Sequence, residues 1–291
     1  MATPASSIPI VVPGVPVGGD TASIEALVGH EVVVKYGGAA MTDDAAADAW
    51  AQDVGALVAA GVRVVVVHGG GPALTRTLDR LGIASTFVDG HRVTCAESAD
   101  VADMVLSGRI NGSVVARLQR AGVRAVGLSG TDGGLVTVRP HRPDGRDLGF
   151  VGEPAGVDPE VLELLLDRGW VPVVSSTAVD GSGQVYNINA DLVAGAVAAA
   201  VGAVRLVFLS DVAGLVVDGE VVENLTASAA EAALRAGDAS GGIRPKLAAA
   251  LEALRAGVAE VVLADGRTPH ALAASLLGAA PATRLSAGGG T

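Results

Sequence analysis

Four consecutive valines, Val64–Val67, run into His68-Gly69-Gly70-Gly71-Pro72. A strand of uninterrupted β-branched residues has no polar face to offer water, so Arg63–Val67 has to be covered on both sides. Pro72 then sits at a first-turn position and opens a predicted helix over Pro72–Leu81. The same succession recurs along the chain. Glu31–Lys35, Ala125–Leu128, Val171–Ser175, Arg205–Leu209 and Glu260–Leu263 read as further strands. Helices are predicted over Asp43–Ala60, Ala96–Ser107, Ser113–Ala121, Asp158–Asp167 (with Asp158 as N-cap), Ala190–Val201, Thr226–Ala236, Arg244–Ala256 and Pro269–Leu277. The Pro-Asp-Gly-containing stretch Arg139–Asp147 reads as a hairpin tip or loop. Strands alternating with helices predict an α/β fold with a largely parallel central sheet.

Several function classes are excluded early. The formal charge is −11, so nothing basic is massed to neutralise nucleic-acid phosphates or lipid heads. Cys95 is the only cysteine, which leaves no internal disulfide and no zinc cluster. The first 30 residues contain no Lys or Arg, and the most apolar run, Leu192–Val204, is too short to span a bilayer. A soluble, cytoplasmic protein is therefore expected. Met1–Gly29, rich in Pro, Gly, Ser and Thr, reads as a mobile tail.

The chemistry sits at predicted strand ends, where glycine turns lead into helices and ligands gather. Three segments fit: Lys35-Tyr36-Gly37-Gly38, His68-Gly69-Gly70-Gly71-Pro72 and Ser129-Gly130-Thr131-Asp132-Gly133-Gly134. None is a Walker A loop or a dinucleotide fingerprint. Consecutive glycines let backbone N–H groups approach an anion, and a helix start adds a favourable dipole. Of the 20 basic residues, 18 are Arg and two are Lys, Lys35 and Lys246. An ammonium acts as a compact point charge on phosphate oxygens, which a planar guanidinium does not replace. Glycine loops and two lysines together suit phosphoryl transfer.

Seven segments carry a resemblance: VVVKYGGAAM (32–41), VVVVHGGGPA (64–73), FVDGHRVT (87–94), AVGLSGTDGG (125–134), YNINAD (186–191), LSDVAG (209–214) and GGIRPK (241–246). In this order they resemble the amino acid kinase family, and within it the acetylglutamate kinases. The resemblance runs from about residue 31 to 285. It implies a three-layer αβα sandwich with two lobes, 31–178 for the acylated amino acid and dimerisation and 179–291 for ATP. It implies transfer of the γ-phosphoryl group of ATP to the side-chain carboxylate of N-acetyl-L-glutamate, a step of arginine biosynthesis, with Mg2+ carried by the nucleotide and no protein metal ligand. Lys35, Lys246, Asp191 and Gly38 match the family's catalytic positions. Gly70, Gly71, Arg92 and Asn187 match its substrate-binding positions. Gly37, Ser210, Asp211 and again Lys246 match its nucleotide-binding positions. Asp191, between two lysines, is expected to stay ionised and to orient them, because the nucleophile is already a carboxylate and needs no base.

Simpler readings stand beside these. Arg92 reads equally as a surface cation, and Asn187 with Asp191 as a helix cap and first-turn acid. His68 reads as structural, Asp132 as a turn residue, Cys95 as inert, and Trp50 and Trp170 as core or helix-face residues. Ala39, Thr131, Ile243-Arg244 and Ala282 depart from the family's commonest pattern, which leaves the acyl group and the amino acid open. A kinase for an acidic amino acid on a small acidic carrier protein is the second reading, with Arg139, Arg142 and Arg146 as its docking loop. A catalytically silent, metabolite-binding paralogue is the third. Arginine-inhibited members of the resembled family carry an N-terminal helix that links dimers into a hexameric ring; with four prolines Met1–Gly29 makes a poor helix, so the resemblance implies a homodimer with weak or absent arginine feedback.

Overall fold

The computed structural model describes residues 22–237 and 242–288. In chain order the strands begin with β1 (Glu31–Tyr36), β2 (Arg63–His68), the short pair β3 (Phe87–Val88) and β4 (His91–Arg92), and β5 (Ala125–Leu128). Next come β6 (Val136–Pro140), β7 (Val151–Val157), β8 (Val171–Ser175), β9 (Thr177–Val179) and β10 (Val185–Ile188). The last part adds β11 (Arg205–Ser210), β12 (Val216–Val217), β13 (Glu220–Val221), β14 (Asn224–Thr226), β15 (Glu260–Asp265) and β16 (Ala282–Ser286).

Eight of these form one sheet in the order β14-β16-β15-β11-β1-β2-β8-β5. All neighbours are parallel except β15 and β16. Side chains alternate across a strand, and here both faces are covered. Val32, Val34, Val64 and Val66 enter one core, with Trp50, Leu78, Leu118 and Leu272. Val33, Val65 and Val67 enter the other, with Leu162, Val193 and Leu247. Burying a valine fully contributes about 1.5–3 kcal/mol, so the valine runs hold the layers together. The three-layer α/β sandwich with its largely parallel sheet is as expected.

The helices are α1 (Ala22–Glu25), α2 (Asp44–Ala59), α3 (Gly71–Leu81), α4 (Ala96–Asp103), α5 (Asn111–Arg120), α6 (Glu160–Asp167), α7 (Ala190–Ala200), α8 (Ala227–Ala236), α9 (Ile243–Arg255) and α10 (Ala271–Leu276). Strand and helix positions agree with expectation to within a residue or two in most places.

Three differences stand out. Residues 22–29, assigned to the mobile tail, are packed: Ile24 and Leu27, a turn apart, are buried in the first core. Residues 1–21 lie outside the described part. The break expected after Ser107 is absent, because Met104–Ile110 continues as a π-helix into α5. Asp158 is not the N-cap residue itself; α6 starts one residue later than that places it, with Pro159 as cap, and Asp158 Oδ1 accepts from Glu160 N at 3.1 Å. As expected, Arg139–Asp147 is the tip of a hairpin, β6–β7, whose strands join β10 and β9 in a second sheet ordered β6-β7-β10-β9.

The two edges of the main sheet differ in kind. Its amino edge is closed by ion pairs: Arg63 with Glu31 and Asp167, and Glu260 with Arg205 and Arg284. Its carboxyl edge carries the glycine turns.

Candidate active site

β1 sits near the middle of the sheet and ends in Lys35-Tyr36, after which Gly37 and Gly38 turn the chain. Gly38 has φ +65°, a conformation that favours glycine. A Cβ on Gly37 would lie 3.2 Å from Lys35 Nζ, so the missing side chain gives that ammonium its place. Lys35 lies in register with Val67 on β2 and Phe208 on β11. An ionisable chain so deep in a valine sheet requires a partner.

That partner comes from α7. Asn189 caps the helix, its side chain accepting from Asp191 N at 2.8 Å, and this fixes Asp191 in the first turn. The cap is therefore Asn189, whereas Asn187 lies within β10. Lys35 Nζ is 2.8 Å from Asp191 Oδ1, and Lys246 Nζ, from the first turns of α9, is 3.3 Å from Asp191 Oδ2. Burial acts to raise the Asp191 carboxyl, but the charges of Lys35 and Lys246 outweigh it and hold the group below the usual carboxylate range. Both oxygens are engaged by ammonium groups.

Beside this triad opens a cleft of about 300 Å³. Lys35, Gly38, Gly70, Gly71, Arg92 and Asn187 all line it. Gly70 and Gly71 bring the start of α3 to its wall, with Pro72 in the first turn. Arg92 is 7% exposed. Its guanidinium donates to Ser85 Oγ and to Thr75 Oγ1 (2.6 Å), and lies 4.6 Å over the Phe87 ring. It is not a surface cation. Ser210 and Asp211 stand at the end of β11, where Ser210 Oγ accepts from Val212 N at 3.3 Å and Ser210 O from Gly266 N at 2.8 Å. They border the same carboxyl edge rather than the cleft itself.

His68 is structural. It is fully buried, with Nδ1 2.9 Å from Gly69 O and Nε2 3.0 Å from Asn111 Nδ2. Burial, with the Lys35 charge adding to it against the Gly69 bond, lowers its pKa to about 4. Asp132 makes a turn, accepting from Ser129 N at 2.6 Å. Trp50 stacks on Tyr36 at 3.9 Å within the core.

The amino acid kinase family description matches residues 31–265. This chain belongs to the amino acid kinase family. It is 46% identical over 253 residues to an acetylglutamate kinase of Gluconacetobacter diazotrophicus, covering 84% of this chain and 81% of that one. It is likewise 46% identical over 248 residues to an acetylglutamate kinase of Synechococcus sp. (strain RCC307), with 84% and 83% covered. Among solved structures, N-acetylglutamate synthase from Neisseria gonorrhoeae, complexed with coenzyme A and N-acetyl-glutamate, matches with TM-score 0.81 and 25% identity. That match covers 92% of this chain and 62% of the synthase, so this chain spans less than two thirds of the synthase.

This amino acid kinase has site residues that sequence reasoning passed over. Leu106, Val151, Ser176 and Asn189 line the cleft beside the expected groups. Asn189 was legible as a cap ahead of an apolar helix; Leu106 and Ser176 carry no local signal, because their approach depends on how the π-segment and β8 meet. Thr283, on β16, accepts from Leu215 N at 2.9 Å and occupies the space a Gly214 side chain would need. The arginine loop is largely spoken for: Arg139 pairs with Glu153, and Arg146 with Asp89 and Asp144. Paired arginines do not favour docking of an acidic carrier.

Proposed function

We propose that this chain transfers the γ-phosphoryl group of ATP to the side-chain carboxylate of N-acetyl-L-glutamate, giving N-acetyl-L-glutamyl 5-phosphate and ADP. The observation that carries the reading is the placement of the chain's only two lysines on one buried carboxylate, beside a cleft lined by Gly38, Gly70, Arg92 and Asn187. The acceptor is already ionised, so the attacking oxygen has an electron pair to donate and no base need take a proton. Its attack on the γ-phosphorus forms one P–O bond as the bond to the β-phosphate oxygen breaks. Charge then spreads over the transferring oxygens, and catalysis consists of holding them in line and neutralising them.

In this reading Lys35 meets the transferring group and Lys246 the leaving side, with Asp191 orienting both. A preorganised donor of this sort contributes about 10²–10³-fold to turnover. Gly38 and Gly70 offer backbone N–H groups. Arg92, fixed by Thr75 and Ser85, presents a planar fork to the α-carboxylate, and Asn187 reads the acylated amino group. Gly37, Gly71, Ser210 and Asp211 border the phosphoryl and nucleotide paths. Magnesium would arrive with the nucleotide, held mainly by its phosphates, and would supply neutralising charge there; Asp191, with both oxygens on lysines, is not free to ligate it.

The division into an acyl-amino-acid half (31–178) and a nucleotide half (179–291) follows the same reading, as do a homodimeric state and a cytoplasmic place in arginine biosynthesis. Among the described residues no helix is long and apolar enough to cross a membrane. The test is an ATP-dependent hydroxamate assay, which traps acyl phosphates, on N-acetylglutamate, glutamate, aspartate and N-acetylaminoadipate. A signal confined to N-acetylglutamate is expected; silence on all four would overturn the reading.

A further inference from the structure

The helical run from Ala96 to Arg120 changes its winding in the middle, at Met104–Ile110, and Leu106 of that segment lines the cleft. π-Winding is rare, persists where other contacts compensate it, and recurs at functional sites. Here the compensation is polar. Thr177 Oγ1 donates to Asp103 Oδ1 at 2.8 Å. Ser107 Oγ lies 2.6 Å from Thr177 Oγ1 and 2.8 Å from Ser175 Oγ. A hydroxyl has one proton, and Thr177 gives its own to Asp103, so Ser107 donates to Thr177 and Ser175 to Ser107. The chain of hydroxyls thus runs one way, onto a carboxylate. One turn further on, Asn111 Nδ2 donates to Val173 O at 2.8 Å.

The segment also packs Leu106 and Ile110 onto Gly70. A Cβ there would lie 2.7 Å from Leu106 Cδ2 and 2.4 Å from Ile110 Cδ1. Leu106 lines the cleft together with Leu74, Phe87 and Val151. Ser176, between the two hydroxyl partners, lines it as well.

We propose that the π-wound segment Met104–Ile110 gauges the length of the substrate's acyl group, with Leu106 as the specificity-determining contact and Ser107 as the positioning residue that fixes how far Leu106 reaches into the cleft. The inference rests on the acylated-amino-acid reading above. An acyl methyl has nothing to hydrogen-bond with, so it takes the apolar wall while Arg92, Asn187 and Lys35 take the polar ends. Acyl chains longer than acetyl then meet Leu106, and the hydroxyl chain keeps Leu106 from retreating.

The experiment measures binding of N-acetyl-, N-propionyl- and N-butyryl-L-glutamate by calorimetry, with kcat and KM for each, in wild type, Leu106→Val, Ser107→Ala and Ser107→Thr. Wild type is expected to prefer acetyl over propionyl by about tenfold or more, the discrimination one methylene supports. Leu106→Val and Ser107→Ala should lower that preference below about threefold, acting on KM more than on kcat. Ser107→Thr, which keeps the hydroxyl, should restore it. A purely structural defect would scale all three substrates alike, so an unchanged preference in both Leu106→Val and Ser107→Ala overturns the proposal and leaves the substrate reading standing. Wild type that binds none of the three removes the substrate reading, and the proposal with it.

Discussion

Lys35 Nζ lies 2.8 Å from Asp191 Oδ1, with the two side chains 10% and 7% exposed. One residue closes a central strand and the other opens a helix on the second core. With Lys246 on the other oxygen the trio carries one net positive charge in a dry setting, which suits an incoming phosphoryl group.

Arginine in place of either lysine should therefore fail as a catalyst without harming the fold. Lys35→Arg and Lys246→Arg are expected to lower turnover by about 10²-fold or more, since a longer planar fork does not replace a point charge on Asp191 and, for Lys35, cannot occupy the position beside Gly37. Turnover in the hydroxamate assay and the thermal midpoint of each variant check this; near-normal turnover in both would remove lysine catalysis.

The pH dependence of stability should show His68. Its folded pKa is about 4 against an ordinary 6.5, so as pH falls the unfolded chain takes up the proton first. Stability contributed by the neutral ring is complete above pH 6.5 and is lost progressively towards pH 4, by about 3 kcal/mol in all. Denaturant titrations at stepped pH would read this, and a flat profile between pH 6.5 and 4 would contradict it. Asp191, held below the usual carboxylate range, should add no step to the activity profile between pH 6 and 9.

Gly70→Ala tests the packing on the π-segment. The backbone at Gly70 is extended, so the cost is steric: the new methyl displaces Leu106 and Ile110, for about 1–3 kcal/mol. We expect a lower thermal midpoint and a KM for the acylated substrate raised about tenfold. An unshifted KM would show that the cleft does not depend on this contact.

Asp53 offers a contrast away from the cleft. Fully buried on α2, it lies 2.7 Å from His270 Nδ1 and accepts from Ala273 N at 3.1 Å, joining α10 to α2. Asp53→Ala strands both donors and should cost about 2–3 kcal/mol while leaving KM and kcat of the folded enzyme near wild type. Loss of activity without loss of stability would contradict a structural role.

The fold was legible wherever a run of one character was long enough. Val64–Val67 with its glycine turn predicted a doubly covered strand, and the cores on both faces of β2 follow from it. The lysines were legible because the chain elsewhere uses arginine, and Arg92, Asn187 and the glycines because their segments resemble those of a family. Contacts made through space had no such signature. The pair Ile24 and Leu27 is too short a signal against its glycine- and proline-rich neighbours. The π-segment is held by Ser107 reaching Ser175 and Thr177, about seventy residues away. The cap was read at Asn187 instead of Asn189, two residues on, because only the pairing of β10 shows that Asn187 still belongs to a strand.

The sheet order sets β1 between β2 and β11, so the strand ending in Lys35 is bonded on one side to the strand leading into Gly69–Gly71 and on the other to the strand ending at Ser210. On the function proposed above, acceptor and donor would both bind over the ends of this one continuous sheet. Neighbouring strands in it are spaced about 4.8 Å apart by their backbone hydrogen bonds, a ruler against which the separation of the two ligands would be set.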